Sequence, residues 1–466
     1  MKNILLIMPP FSMVERYGRG IEKIGSSLPS LGLLYLGAEL EKAGFKVKIL
    51  DTQIYNWSVK EAEISDIVGI YCNTSNCHRA LELAKEIKTN FNIPIIFGGP
   101  HVAARPLEVL NNDCVDYAVI GEGERTIVEL MSVLSDKDSA LKLSDIKGIG
   151  FKKNGEPAIN PRRELIENLD SIAFPARHLV PMDKYRPSPN QYKRVPMTTM
   201  MVSRGCPFSC TFCATETIWT RRYRCRSVKN VVDEIKHLIK NYNIKEINFW
   251  DDVWGLNKEW INEFCDTVVK ERLDLTWSCE CRVDTIDKET LKRMKTAGCW
   301  CIFFGIESLD QETLEAINKK ITVTQIISAL KWTREAGIEI RANFILGLPK
   351  ETPEKVKKML EILCRLNPDN VKFNILTPYP ETVLYKEIKQ GKWGTIVDES
   401  YDKLTSHFAT FLPSGYKDID ELKRIKKYAY RRYYFRLGYI LPRLLLIRSF
   451  EDLKRYLRGA LAIMSI

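Results

Sequence analysis

Twice along this chain, short apolar runs of strand length alternate with stretches of helical period. Runs that stay apolar on both alternating faces belong to strands buried from both sides, the signature of parallel sheets covered by helices. From Asn3 to about Asp138 these runs are Ile4–Ile7, Val47–Leu50, Ile67–Tyr71, Pro94–Phe97 and Tyr117–Ile120. From Pro196 onward they are Thr198–Val202, Glu246–Trp250, Thr276–Cys281, Trp300–Gly305, Ile338–Ile345 and Asn370–Leu376. Helical stretches at Val228–Lys240, Lys258–Lys270, Lys288–Ala297 and Thr324–Ala336 separate them. The expected fold is therefore α/β: a doubly wound Rossmann-like domain over 1–140, then a partial (β/α)6 barrel over 196–400. Between them, 141–195 is charged and punctuated by prolines and reads as a linker. The last segment, 401–466, reads as a helical, basic and aromatic tail.

The chain has 466 residues and is 45% hydrophobic, enough for more than one core, which excludes collagenous and disordered classes. Its 13 cysteines are an odd number with no basic and apolar leader before them, so a secreted disulfide framework is not expected. Thiols kept reduced serve packing, metal ligation or catalysis. No apolar run reaches the roughly 20 residues of a spanning helix, and a cytoplasmic location is expected.

One group of cysteines has chemical spacing. Arg204-Gly205-Cys206-Pro207-Phe208-Ser209-Cys210-Thr211-Phe212-Cys213 follows the first strand of the second alternation as a Cys-x3-Cys-x2-Cys loop. Three thiolates on one loop hold three corners of a cubane iron–sulfur cluster and leave the fourth iron open. A structural zinc site would want a fourth ligand, and only Cys225 is near. Cys279, Cys281, Cys299 and Cys301 form two Cys-x-Cys pairs on adjacent expected strands, but strand parity opposes a second cluster there. If Glu280 and Arg282 point into the barrel, Cys279 and Cys281 point out, whereas an inward Glu307 puts Cys299 and Cys301 inward. Small buried residues are then the expected role.

The loop, with Phe212 before its last cysteine, resembles the cluster motif of the radical S-adenosylmethionine family. By that resemblance Cys206, Cys210 and Cys213 bind a [4Fe-4S] cluster whose open iron chelates S-adenosylmethionine, and one electron yields a deoxyadenosyl radical. Later strand ends match in order. Phe212, Asp251 and Asp252, Arg282, Glu307 and Arg341 are the residues that the resemblance places around S-adenosylmethionine. At the sixth end, Pro378-Tyr379-Pro380-Glu381-Thr382 carries Glu381 where relatives have glycine.

The first domain resembles the cobalamin-binding class of that family through Pro29-Ser30-Leu31-Gly32-Leu33, Gly98-Gly99-Pro100-His101 and Gly121-Glu122-Gly123-Glu124. It has no Asp-x-His-x-x-Gly motif to place a histidine under cobalt, and His78 reads as a helix N-terminal residue. The cobalamin contacts implied are Asn73, Thr74, Ser75, Gly98, Gly99, His101, Gly121 and Glu122. A methylthiotransferase reading fails, because the loop after the first strand, Met8-Pro9-Pro10-Phe11, lacks a cysteine.

Of the chain's net charge of +11, most lies at the end: Lys417–Arg458 holds thirteen Lys or Arg against five Asp or Glu, with eight aromatics. Such a tail fits single-stranded nucleic acid, an anionic membrane surface, or a helix pair capping the barrel with a solvated basic face. The resemblance tilts away from nucleic acid and toward lipid or other hydrophobic substrates, with peripheral contact at the inner membrane face through this region as a further expectation.

Taken together, the resemblance implies a C-methyltransferase that uses a [4Fe-4S] cluster, S-adenosylmethionine and cobalamin on an unactivated carbon of a hydrophobic substrate, a lipid, isoprenoid or natural product. The alternative is oxidative cyclisation or rearrangement with the same cofactors; a carrier or sensor without turnover would have no use for the cluster loop. An external donor of the flavodoxin or ferredoxin type would supply electrons.

Overall fold

The computed structural model describes residues 2–17, 25–136, 139–188, 191–444 and 457. Five parallel strands open the chain: β1 (Asn3–Met8), β2 (Lys46–Asp51), β3 (Ile67–Tyr71), β4 (Ile95–Gly98) and β5 (Tyr117–Val119). They lie in the order β2-β1-β3-β4-β5, so the chain reverses its winding between β1 and β3. That switch point is where doubly wound sheets leave a crevice for a ligand. The sheet's two faces carry separate cores. Leu5, Ile7, Val68 and Ile70 pack under the helix Cys77–Phe91, while Ile4, Leu6 and Ile67 pack under the helices Leu31–Lys42 and Gly123–Ser135.

The linker expected over 141–195 begins otherwise. Strands β6 (Ile149–Lys153) and β7 (Glu156–Ile159) join through the turn at Asn154-Gly155 and extend the first sheet antiparallel beyond β5. Prolines and charges are tolerated here because β7 is the sheet's edge, where one face of the backbone is free of partners. After residue 159 the chain runs through short 3-10 turns to the second sheet.

That sheet starts at β8 (Met197–Met200). A small hairpin follows, β9 (Ser203–Arg204) with β10 (Arg224–Cys225), and then β11 (Glu246–Phe249), β12 (Thr276–Cys281), β13 (Cys299–Glu307), β14 (Glu339–Leu346) and β15 (Asn370–Ile375). Six parallel strands run in the order β15-β14-β13-β12-β11-β8 and form an open barrel. Capped helices separate them, for instance Val228–Tyr242, whose N-cap Ser227 hydroxyl accepts from Asn230 N–H and whose C-cap Asn243 is left-handed. The pair β16 (Gly394–Ile396) and β17 (Phe411–Pro413) lies beyond.

Both open edges are closed by side chains. At β8, the buried guanidinium of Arg177 donates to Thr199 C=O at 2.9 Å and pairs with Glu234 at 2.7 Å. At β15, the helix Ile419–Tyr434 turns tyrosines onto the strand: the Tyr434 hydroxyl accepts from Val371 N–H at 2.8 Å and donates to Val371 C=O at 2.7 Å. Tyr430 does the same at Phe373 and Tyr439 reaches Asp369 C=O. Tyr430, Tyr433, Tyr434 and Tyr439 are therefore barrel caps, which is the third of the tail readings. The apolar stretch Leu445 to Ile447 lies outside the described residues. Among the described residues no helix is long and apolar enough to cross a membrane.

Parity in the barrel departs from the simple expectation at one place. A bulge at Trp300 pairs Trp277 with Cys299 but Ser278 with Cys301, so Cys299 joins Cys279 and Cys281 in the helix-facing core rather than pointing inward. The three are sealed thiols, with Cys279 and Cys281 Sγ atoms 3.6 Å apart.

Candidate functional site

The cysteine loop leaves β9 through Gly205, whose φ of +83° and whose position against Arg222 leave no room for a side chain: a Cβ there would lie 2.2 Å from Arg222 C=O. Distant elements then pin the loop. Thr211 N–H donates to Ile317 C=O and Leu384 N–H to Thr211 C=O, while the Asn318 amide donates to Ser209 C=O and Oγ at 2.9 and 2.8 Å. The loop is thus tied to the barrel by protein hydrogen bonds at Ser209 and Thr211.

Its thiols suit a cluster. Burial raises the Cys206 thiol to about 11 and also raises Cys213, so binding metal must displace protons from these two. Among the described residues no three His, Cys, Asp or Glu side chains are set to hold one metal ion. A cubane whose irons take one thiolate each does not require such convergence.

The predicted S-adenosylmethionine residues divide. Asp252 Oδ2 accepts from Gly205 N–H at 3.2 Å, and Oδ1 accepts from the Thr215 hydroxyl at 3.0 Å, which itself accepts from the Cys213 thiol at 3.2 Å. Arg282 stacks on Phe208 at 3.5 Å, forks onto Asp284, and sets Nη1 3.9 Å from Cys210 Sγ. Glu307 pairs with buried Lys319 at 2.7 Å. These three rim the loop. Phe212 packs into the apolar cluster with Ile317, Leu348 and Leu384.

Asp251 and Arg341 are elsewhere. Asp251 Oδ1 accepts from Val202 N–H, Ser203 N–H and the Ser203 hydroxyl, at 3.0, 2.5 and 2.7 Å. It is a buried clamp on the chain between β8 and β9, not a group facing the mouth, and burial lifts it to about 7. Arg341 sits deep, paired in register with Phe303 and so level with Glu280, and lies over the Phe303 ring at 4.5 Å and the Trp300 ring at 5.2 Å. Asp284, Asn318, Lys319 and Thr215 support the loop without having been singled out in the sequence. Glu381 adopts φ +66°, the left-handed conformation that glycine would take freely, held by Arg105 and Lys386 at 3.1 Å each.

Beyond the carboxyl ends of β1, β3, β4 and β5 opens a cavity of about 590 Å³. Asn73, Ser75, Gly98, Gly99, Gly121 and Glu122 line it, as do Leu31 and Gly32 at a helix start and, from the barrel side, Trp250, Tyr379 and Leu404. A Cβ at Gly32 would meet nothing within 4 Å, so this glycine leaves the cavity wall open. Among the described lining residues none is a histidine or a cysteine. Three of the predicted contacts behave differently. His101 is fully buried, its Nδ1 3.3 Å from the Thr74 hydroxyl and its ring edge-on to Tyr401, so His101 and Thr74 sit behind the floor. Glu122 has its carboxylate consumed by Arg204, Arg224 and Ile166 N–H. A floor of backbone and small residues without a free charge fits a broad planar ring such as corrin.

Residues 20–131 match the B12-binding domain and residues 200–363 the radical SAM superfamily. The chain is 35% identical over 474 aligned positions to an uncharacterized methyltransferase of Pyrococcus horikoshii, covering 99% of this chain and 98% of that one. It belongs to the cobalamin-binding radical S-adenosylmethionine family. This family member is also 29% identical to the anaerobic magnesium-protoporphyrin IX monomethyl ester cyclase of Rubrivivax gelatinosus, over 80% of this chain and 68% of that one. Its fold is that of the radical S-adenosylmethionine methyltransferase TsrM from Kitasatospora setae, with a TM-score of 0.72, 19% identity and 91% of both chains covered. The two matched domains bring cobalamin and S-adenosylmethionine, with the [4Fe-4S] cluster its radical chemistry needs, to one enzyme.

Proposed function

We propose that this radical S-adenosylmethionine enzyme methylates an unactivated carbon of a hydrophobic substrate, a lipid, an isoprenoid or a natural product. The observation that carries the reading is the shared cavity: one space is lined by the first sheet's carboxyl ends and by Trp250, Tyr379 and Leu404 of the barrel side. A substrate carbon at that junction can meet both cofactors without leaving the site. When bound, the cluster and S-adenosylmethionine supply the radical that removes hydrogen, and cobalamin supplies the methyl group.

The chain's own residues hold and exclude. Cys206, Cys210 and Cys213 hold the cluster. Asp252, Arg282 and the Glu307–Lys319 pair fix the loop that carries them, so little reorganisation remains for the reaction. Asn73, Ser75, Gly98, Gly99 and Gly121 floor the corrin, and Trp250, Tyr379 and Leu404 keep water from the junction, as a radical intermediate requires. Electrons come from a flavodoxin- or ferredoxin-type donor. The enzyme works in the cytoplasm, and contact with the inner membrane face would fall to the basic surface of the C-terminal region.

A second reading, oxidative cyclisation, is supported by the likeness to the Rubrivivax cyclase. Anaerobic incubation with deuterated-methyl S-adenosylmethionine and cell lipid extract separates the two: a product heavier by a labelled methyl is the expected result, and a product that only loses hydrogen would replace methylation with cyclisation.

A further inference from the structure

Two lysines on the β15 side of the barrel form no ion pair among the described residues, and the acid nearest to them in effect is Glu280 across the lumen. On β15, Val371, Phe373 and Ile375 belong to the helix-facing core, so Lys372 and Asn374 face the lumen by alternation. In register, Lys372 sits beside Asn343 on β14. Over the same strand the helix Ile419–Tyr434, tied to Phe373 through Tyr430, turns Lys426 inward, and Lys426 is only 8% exposed. Ile375 N–H donates to Ser406 C=O, which brings His407 to the same end.

Neither lysine has an ion pair or a hydrogen bond among the described residues. The acid that acts on Lys372 is Glu280, from β12 across the lumen, while Lys426 feels Lys372 as a like charge. Burial pushes Lys426 down to about 8, and burial with the two lysines pushes His407 down to about 4. Lys372 is exposed to the open lumen and its charge can be hydrated, whereas an unpaired cation as buried as Lys426 is costly, and a fold retains one where an anion completes the site.

We propose that Lys372 and Lys426 form an anion subsite, so that the substrate of this barrel carries a carboxylate or a phosphate group in addition to its apolar body. The inference rests on reading the lumen as the substrate site, and it deepens the proposed methylation by naming the headgroup class. Glu280, with Asp252 and Glu307 acting on it as like charges, makes the far wall acidic and sets the polarity: the acidic group of the substrate lies toward β15 and its apolar part toward Phe303 and Tyr379.

The test uses the full chain reconstituted with iron, sulfide, S-adenosylmethionine and hydroxocobalamin, with iron and corrinoid content measured on the same preparation. Octyl phosphate, octanoate and octanol are titrated by calorimetry. One or both anions should bind about 10-fold or more tighter than octanol, the tighter of the two identifying the headgroup. In Lys426→Met, and again in Lys372→Met, that preference should fall to near unity with octanol binding unchanged. The ligand-free melting temperature of Lys426→Met should equal or exceed the parent's, because an unpaired buried charge has been removed. Octanol binding as tightly as the anions, no binding of any of the three, a preference that survives both variants, or a lowered melting temperature in Lys426→Met would each overturn the subsite. Loss of corrinoid or iron from the unmodified chain would instead overturn the methylation reading, whichever way the titrations fall.

Discussion

Arg204 donates from Nη1 to Glu122 Oε1 at 3.0 Å, and both side chains are almost wholly buried. Arg204 lies on the hairpin that leads into the cysteine loop, and Glu122 follows β5, the last parallel strand of the first sheet. Arg224 joins the same carboxylate at 2.8 Å and Glu124 takes the other arm of Arg204. The B12-binding and radical SAM domains are thus joined by one dry ionic network. Glu122→Leu would strand Arg224 and half-strand Arg204, at a cost of about 3–5 kcal/mol. Urea denaturation should show that loss, and adding Arg224→Met should recover part of it because the uncompensated charge goes too.

Asp251 and Asp252 stand side by side in the sequence, yet their contacts assign them different work. Asp251→Ala removes three acceptor contacts from Val202 and Ser203 and should lower stability by about 3 kcal/mol while the folded fraction still takes up close to four irons. Asp252→Ala frees Gly205 N–H and the Thr215 hydroxyl at the two ends of the cysteine loop. It should lower stability less and iron retention more. Iron and sulfide analysis after anaerobic reconstitution, set beside melting curves, distinguishes the two.

That split marks where sequence stops being informative. The cysteine loop is legible because its chemistry lies within eight residues, and the two sheets are legible because strands buried on both faces have no polar alternation to confuse them. Asp252 reaches Gly205 across 47 positions, and nothing local in Phe249-Trp250-Asp251-Asp252 says which carboxylate turns toward the loop. Glu122 lines the cavity, as an acid beside glycines after a strand suggests, but nothing local shows that its carboxylate is held by arginines 82 and 102 residues away. The Trp300 bulge defeated parity for Cys299, since one inserted residue flips every later side chain to the other face. Strands β6 and β7 were hidden by prolines and charges that an edge tolerates.

Glu351 gives the enzyme a stability that falls as pH rises. The carboxyl is buried, accepts from Gly347 N–H at 2.5 Å and from the Tyr416 hydroxyl at 2.6 Å, and burial lifts it from 4.5 to about 7. Because the folded value lies above the unfolded one, the proton is held more tightly in the folded state. The stabilisation is complete below about pH 4.5 and lost as pH climbs to about 7, amounting to about 3 kcal/mol. Stability measured between pH 5 and 8 should decline less steeply in Glu351→Gln, which keeps a neutral group there at every pH. An equal slope in the variant would remove Glu351 as the cause.

The tail's tyrosines carry the last expectation. Tyr434 gives Val371 both a donor and an acceptor, doing at the edge of β15 what a seventh strand would have done, and Tyr430 repeats it two residues along at 3.2 and 3.4 Å. The i, i+4 spacing on the helix matches the two-residue period of the strand's outward backbone groups. Tyr434→Phe keeps the ring and strands one N–H and one C=O, which should cost about 1–3 kcal/mol. Tyr430→Phe, with longer bonds, should cost less. Hydrogen exchange checks the mechanism: the Val371 amide should lose protection in Tyr434→Phe while Phe373 keeps its own, and the reverse should hold in Tyr430→Phe. An unprotected edge is also a template for pairing between chains, so the double variant should self-associate at concentrations where the parent does not, measurable by sedimentation velocity.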